Sequence, residues 1–251
     1  MKAMVLAAGL GTRLRPLTND RPKALVEVAG RTLLEITLTR LRDFGIHEVI
    51  INVHHFGDMI QNYLRSNNNF GLQIDISRED ELLLDTGGGL KKASHFFQSR
   101  VAGEDPFILH NVDVISNIDF GQMLNFHTDR KSLATLAVQE RETSRYLLFN
   151  ESLELCGRRS GRDGKQELVQ PAKKALPLAF SGIHIISHRF LSMMSEQSKF
   201  SIIDSYLRAA EVGEKILAFR ADRFYWRDLG RPENVVQAAA DIDSKRILLS
   251  N

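Results

Sequence analysis

The chain has 251 residues, an apolar fraction of 43%, and 33 lysines and arginines against 31 acidic residues, for a formal net charge of +2. That length suffices for one large α/β domain with a substantial core, and so balanced a charge without a basic stripe speaks against nucleic-acid binding. One cysteine, Cys156, excludes an intrachain disulfide, Met1-Lys2 leads into no signal peptide, and no apolar run reaches the roughly 20 residues that span a bilayer. The expectation is a cytoplasmic protein with no membrane partner.

The first predicted strand, Ala3 to Leu6, runs into Ala7-Ala8-Gly9-Leu10-Gly11-Thr12-Arg13-Leu14. Glycines let a main chain approach an anion closely, and successive N–H groups can point at it. The first 23 residues hold five basic side chains (Lys2, Arg13, Arg15, Arg21, Lys23) against Asp20 alone. No G-x-x-x-x-G-K-[ST] run exists, and the dinucleotide fingerprint fails because Leu14 stands where its third glycine belongs, which argues against a nicotinamide-dependent dehydrogenase. A strand-to-helix turn without a ligand is the plain alternative.

Thr32 and Glu35 read as a capping box for a helix carrying Leu34, Leu38, Leu41 and Phe44, ended by Gly45. Val49 to Val53 is a continuous apolar strand, as in a parallel sheet covered on both faces. His54 and His55 follow it. Adjacent strand side chains point to opposite faces, so the pair reads as a cleft rim rather than a metal site. A helix from Asp58 to Leu64 and a strand from Leu72 to Ile76 continue an alternation that predicts a Rossmann-like, doubly wound, mixed but mostly parallel sheet, with ligands outside the carboxyl ends of the strands.

Glu79-Asp80-Glu81 precedes Thr86-Gly87-Gly88-Gly89, a run costly in entropy for a mere turn and expected to form a bent loop before a helix. Pro106 to Val114 is a buried strand ending in Asn111 and Asp113, and an ionised carboxylate there needs a cation. A helix from Phe120 to His127 and a strand from Leu133 to Gln139 follow. Leu147–Phe149 and Leu153–Leu155 suggest a hairpin, and Gly157 to Lys165 a basic loop with Arg158, Arg159 and Arg162. The strand Ala179 to Ile186 contains Gly182, the sign of a bulge or close approach. A helix begins at Ser201, Phe224 to Gly230 is a third polar-ended segment, and Pro232 opens a final helix with Val235, Val236, Ala239 and Ile242 inward.

Leu6-Ala7-Ala8-Gly9-Leu10-Gly11-Thr12-Arg13-Leu14-Arg15-Pro16-Leu17-Thr18, followed by Arg21-Pro22-Lys23, resembles without a gap the signature of sugar-nucleotide pyrophosphorylases, the sugar-1-phosphate nucleotidyltransferases. The resemblance implies that Ala7, Ala8, Gly9, Gly11, Thr12 and Arg13 hold a nucleoside triphosphate and that Lys23 lies between the nucleotide and sugar phosphates. It places a base-reading loop at Glu79, Gly87 and Gly88. A carboxylate there suits the ring N–H of uracil or guanine better than cytosine, which has none. The Thr86–Gly89 run is most similar to the bacterial N-acetylmuramate 1-phosphate uridylyltransferases. Asn111-Val112-Asp113 is similar to the family's N-G-D segment and Trp226-Arg227-Asp228-Leu229-Gly230 to its W-x-D-[IVL]-G segment, which implies Mg²⁺ on Asp113 and Asp228, with Val112 and Arg231 as departures. Asn111, Gly182 and Asp228 would face the sugar. The family's E-K-P lysine has no match, leaving Lys165, Lys173 and Lys174 as candidates for the sugar phosphate.

The resemblance further implies a nucleotide-binding half of roughly 1–115 and a sugar-binding half of 116–251, with no β-helix domain after them. Its chemistry is attack of a sugar 1-phosphate on an NTP with release of pyrophosphate, with Arg13, Lys23 and Asp113 as catalytic groups. UTP with an N-acetyl amino sugar 1-phosphate is the first expectation. Guanylyl transfer to mannose or heptose 1-phosphate is the second, and a non-catalytic nucleotide-sugar-binding regulator is the alternative of another class. The sequence leaves the oligomeric state open.

Overall fold

The computed structural model describes residues 1–98, 106–160, 164–196 and 198–249. β1 (Ala3–Leu6) leads into the glycine-bearing loop, and a two-residue ribbon of β2 (Glu27–Val28) and β3 (Arg31–Thr32) precedes α1 (Leu33–Asp43). Then come β4 (Glu48–Val53), α2 (Gly57–Ser66), β5 (Gln73–Arg78), α3 (Asp85–Lys92), β6 (Phe107–Asn111), β7 (Val114–Ser116), α4 (Phe120–Asp129) and β8 (Ala134–Gln139). The second half holds β9 (Arg145–Phe149), β10 (Leu155–Ser160), β11 (Lys165–Leu168), β12 (Leu176–Ile186), α5 (Arg189–Met193), α6 (Ile202–Glu211), β13 (Ile216–Arg220), β14 (Trp226–Asp228) and α7 (Pro232–Asp243).

The main sheet runs β11-β10-β9-β12-β6-β1-β4-β5, with β8 on β12 and β13 on β8. β5, β4, β1 and β6 are mutually parallel, whereas β12 meets β6, β8 and β9 antiparallel. The expected mixed, mostly parallel, doubly wound architecture is therefore present. Between β1 and β6 the strand order reverses, since the chain travels outward through β4 and β5 before returning to the other side of β1. A crevice opens at the carboxyl ends of strands at such a reversal. The loop after Leu6 and the Asn111–Asp113 segment both lie there, tied by Val112 N–H donating to Leu6 O at 3.1 Å.

Strand alternation divides the core. Ala3 and Val5 pack on one face with α1 residues Leu34, Leu38 and Leu41; Met4 and Ile50 pack on the other with Leu90, Phe107 and Tyr206. Thr32 caps α1 by accepting from Glu35 N–H at 3.1 Å. The carboxylate of Glu35, expected to close the capping box, is engaged by Arg31 at 2.7 Å and by the Tyr63 hydroxyl at 3.1 Å.

The second half departs from expectation where pairing is non-local. The predicted hairpin exists as β9 and β10, but the stretch expected as a basic loop continues it: Gly157 to Arg159 belong to β10 and pair with β11. Arg162 lies outside the described residues. In α7, Val235 and Ala238 are buried, whereas Val236, expected to face inward, is 71% exposed. A step of one residue turns a helix by 100°, so adjacent valines cannot both face the core.

This orientation is testable by chemical denaturation. Val235→Ala should destabilise the fold by about 1–3 kcal/mol, whereas Val236→Ala should fall within about 0.5 kcal/mol of wild type. Equal losses at both positions would contradict the packing of α7.

Candidate active site

The loop after β1 is held from beneath. Ala7 N–H donates to Asn52 Oδ1 at 2.8 Å. Asn52 is the polar residue among the apolar Val49–Val53 of β4, and its Nδ2 donates in turn to Glu79 Oε1 at 2.7 Å. Above Gly9 a Cβ would meet nothing within 4 Å, so the main chain there is open to an approaching group. Thr12–Leu14 forms a single 3-10 turn, closed by Leu14 N–H on Gly11 O at 2.8 Å, and the Thr18 hydroxyl donates to the same carbonyl. A cavity of about 340 Å³ is lined here by Ala8, Gly9, Glu79, Thr86, Asn111 and Asp113, among others.

Two distant segments meet at its edge. β14 pairs antiparallel with β7 so that Asp228 stands opposite Val114, and Leu229 N–H donates to Asp113 O at 2.8 Å. Asp113 and Asp228, 115 positions apart in the numbering, are thus joined across one backbone hydrogen bond. Lys23 forms an ion pair with Asp113 Oδ2. Asp228 Oδ1 accepts from Gly230 N–H at 2.8 Å. A Cβ on Gly230 would lie 2.6 Å from Asp228 Oδ1 and 3.0 Å from Arg13 Nη2, which places the Arg13 guanidinium near this junction, and Arg13 does not line the smaller cavity.

On the far side of the junction opens a cleft of about 1060 Å³ whose lining includes Arg13, Asn111, Gly182 and Asp228. Asn111 lines both spaces. Gly182 sits at φ +74° in the expected bulge of β12; a Cβ there would be 2.9 Å from Asn111 Nδ2 and 3.0 Å from Val114. Its absence lets β12 close against the end of β6.

Arg141, which the sequence did not single out, lines this cleft. Its guanidinium lies 3.8 Å above the Trp226 ring and donates to Phe180 O at 2.7 Å, while its buried Nε has no partner among the described residues. Burial lowers its pKa, opposed by the nearby Asp228 carboxylate. Trp226 is fixed in turn by Nε1–H donating to Ser181 O at 2.7 Å. Lys165, Lys173 and Lys174 are exposed and line neither space.

The triple glycine differs from its expected role. Gly87 and Gly88 lie inside α3, not in a loop, and both amides donate to Phe200 O, at 3.0 and 3.3 Å. A Cβ on Gly87 would be 2.3 Å from the Phe200 ring, on Gly88 2.5 Å from Ser198 O, and on Gly89 2.8 Å from both Asn52 and Glu79. Close packing explains the run, and the amides expected to meet a base carbonyl are spent on Phe200. Glu79 is 1% exposed and takes Asn52 on one oxygen and Leu84 N–H, at 2.8 Å, on the other. Each carboxylate oxygen accepts more than one hydrogen bond, so Glu79 keeps capacity toward the cavity. Val112, in the place of the family's glycine, is buried, and Arg231 pairs with Glu233 at 3.7 Å.

Neither buried histidine of the sheet is a proton carrier near neutral pH. Burial brings His110 down to about 3, helped by Arg40, and burial brings His184 to about 3 as well. His110 shares a hydrogen bond with Asn111 O at 2.8 Å, and His54 one with Glu79 O at 2.5 Å. Among the described residues no group of three or more His, Cys, Asp or Glu side chains could hold a metal ion by itself. No helix among them is long and apolar enough to cross a membrane.

Residues 2–152 match the family model described as nucleotidyl transferase, and the chain belongs to that family. It is 34% identical over 245 residues, 95% of each chain, to the N-acetylmuramate alpha-1-phosphate uridylyltransferase of Caulobacter vibrioides. It is 28% identical to the mannose-1-phosphate guanylyltransferase of Mycobacterium tuberculosis, over 96% of this chain and 64% of that one. The solved UDP-glucose pyrophosphorylase of Acinetobacter baumannii shares the fold with a TM-score of 0.75 at 19% identity, covering 99% of this chain and 95% of the other.

Two glycine substitutions separate packing from ligand approach. Gly88→Ala should destabilise the protein by about 1–3 kcal/mol through its clash with Ser198. Gly9→Ala, with free space above it, should stay within about 0.5 kcal/mol of wild type in denaturation yet weaken NTP binding in calorimetry. Unchanged NTP affinity in Gly9→Ala would remove the loop after β1 from the nucleotide site.

Proposed function

We propose that this nucleotidyl transferase joins a nucleoside triphosphate to a sugar 1-phosphate, releasing pyrophosphate, with UTP as donor and an N-acetyl amino sugar 1-phosphate as acceptor. The observation that supports the reading is the β7–β14 pairing, which links the backbones of Asp113, at an amide-lined cavity, and Asp228, at an arginine-bearing cleft. The choice of UTP and of an amino sugar is supported by the uridylyltransferase relative, alike over nearly the whole of both chains. On this reading residues 1–115 supply most of the nucleotide site and 116–251 most of the acceptor wall.

The nucleotide lies in the smaller cavity, its phosphates along the Ala7–Thr12 backbone and its base near Glu79. The residual lone pairs of Glu79 accept an N–H from the base edge, which uracil offers and cytosine does not. The acceptor phosphate lies in the larger cleft. A phosphate monoester has a second pKa near 6 and is mostly dianionic at neutral pH, so one of its oxygens attacks the α-phosphorus without a general base. The low pKa values of His110 and His184 accord with this: neither is asked to move a proton.

The chain's own work is positioning and charge neutralisation. Lys23, beside Asp113, offsets negative charge where the two phosphates meet, and Arg13 offsets charge at the same junction as pyrophosphate departs. The paired carboxylates suit a hard divalent cation. Asp113 and Asp228 offer only oxygen, and a magnesium ion held by one or two carboxylates completes its shell with substrate phosphate and water. Asp113 and Asp228 are the residues that would hold such an ion, which would supply charge stabilisation to the substrate phosphates.

Pyrophosphate release, assayed with four NTPs against a panel of sugar 1-phosphates, tests the reading. The largest kcat/KM should fall on UTP with an N-acetyl amino sugar 1-phosphate; a maximum on GTP with mannose 1-phosphate would replace it. Asp113→Ala should lower kcat by about two orders of magnitude or more while the fold persists. Turnover within about tenfold of wild type would remove Asp113 from the site.

A further inference from the structure

The smaller cavity is poorly matched in charge to a nucleoside triphosphate. Its lining includes three carboxylates, Glu79, Asp85 and Asp113. Among the described residues that line it, Lys199 is the only basic side chain. Lys23 stands beside Asp113 but does not line this space, and Arg13 lines the larger cleft instead. A polyanion entering among fixed carboxylates needs positive charge within the same space. Lys199 comes from the segment before α6, whereas the rest of the lining belongs to the chain before β7.

The backbone around Lys199 is held on both sides. Phe200 N–H donates to Leu84 O at 3.1 Å, and Phe200 O accepts from the Gly87 and Gly88 amides at 3.0 and 3.3 Å. Ile202 N–H donates to the Thr86 hydroxyl at 3.0 Å. On the other side Ser198 sits at φ +68°, and its carbonyl oxygen lies 2.5 Å from where a Cβ on Gly88 would be. The glycines of α3 therefore let this segment lie directly on the first turn of the helix. A side chain at Gly87 or Gly88 would push out the Phe200 ring or the Ser198 carbonyl, and Lys199 stands between them. The neighbouring Lys91 is spent on Glu196 O. Lys199 has no carboxylate within 4.0 Å among the described residues. An ammonium is a compact point charge with three donors, suited to phosphate oxygens in more than one orientation.

We infer that Lys199 binds the phosphate chain of the nucleotide, and that the glycines at 87 and 88 serve to seat the segment that carries it. This rests on the transfer reaction proposed above and adds a contact to its donor supplied by the second half of the chain. The nucleotide then bridges the loop after β1 and the segment before α6, so its binding ties the two halves together across the cavity.

Binding of UTP is compared with that of uridine, which carries base and ribose without phosphate. UTP is titrated by calorimetry and uridine, a weaker ligand, by saturation-transfer NMR, on wild type, Lys199→Met and Lys199→Arg. Melting temperatures check folding. Lys199→Met should weaken UTP by about tenfold, the equivalent of one charge-assisted contact, and leave uridine within about twofold of wild type. Lys199→Arg keeps the charge and should retain most of the UTP affinity. Added salt should weaken UTP less steeply in Lys199→Met than in wild type, because one screened attraction is gone. An unmoved UTP affinity in Lys199→Met, or equal losses for UTP and uridine, overturns the assignment while the nucleotide site stands. Failure of wild type to bind UTP or any other NTP overturns instead the reaction on which it rests.

Discussion

The three-residue ladder between β7 and β14 is the constraint on which the site depends. It brings the backbone of Asp113, at the end of the parallel sheet, to that of Asp228, which arrives more than a hundred residues later, and two carboxylates carried on neighbouring backbones repel. A backbone hydrogen bond is worth about 1 kcal/mol net, so the ladder alone would not hold them. What holds them is apolar packing beneath, since Val114, Ile115 and Leu229 are all buried, together with compensation above from Lys23 on Asp113 and from the Gly230 amide on Asp228. Core and site are thus one construction: the residue that follows each carboxylate is buried and fixes where the carboxylate points.

The same economy explains the layers around it. Asn52 links the Ala7 amide to Glu79, and Glu79 ties Leu84 at the start of α3. Through this chain of contacts the loop after β1 and the first turn of α3 share one buried carboxylate. Phe200 O then takes the Gly87 and Gly88 amides, so a segment of the second half closes on the first. The smaller cavity is therefore walled by both halves, and Lys199 on that segment lines it.

Much of this was legible where the signal is local. The alternation of strands and helices predicted the sheet, and the Leu6–Thr18 run, the end of β6 and the Trp226–Gly230 segment named the loop and both aspartates before any pairing was known. Legibility failed where a residue's role is set by a partner distant in sequence. Gly87 to Gly89 suggest a loop until Phe200, Ser198 and Asn52 are seen against them. Gly157 to Arg159 suggest a loop until β11 pairs with them. Arg141 looks like one more surface charge because nothing in its own stretch announces that Trp226, 85 positions on in the numbering, will lie beneath it. Asn52 did carry a local signal, a polar side chain inside an apolar parallel strand, which needs a buried hydrogen-bond partner.

The arginines follow from the same logic. A lysine is a mobile point charge and serves wherever its stem can reach, so a search for one on the second half naturally settles on exposed candidates such as Lys165, Lys173 and Lys174. A guanidinium must be oriented, and orientation costs side-chain entropy unless a ring supports it. Trp226 and Tyr146 provide that support, and both are themselves tied by hydrogen bonds, to Ser181 O and from Thr143 N–H. Trp226 belongs to β14, the strand that also delivers Asp228, so the platform for one arginine and the carboxylate beside it cannot move independently.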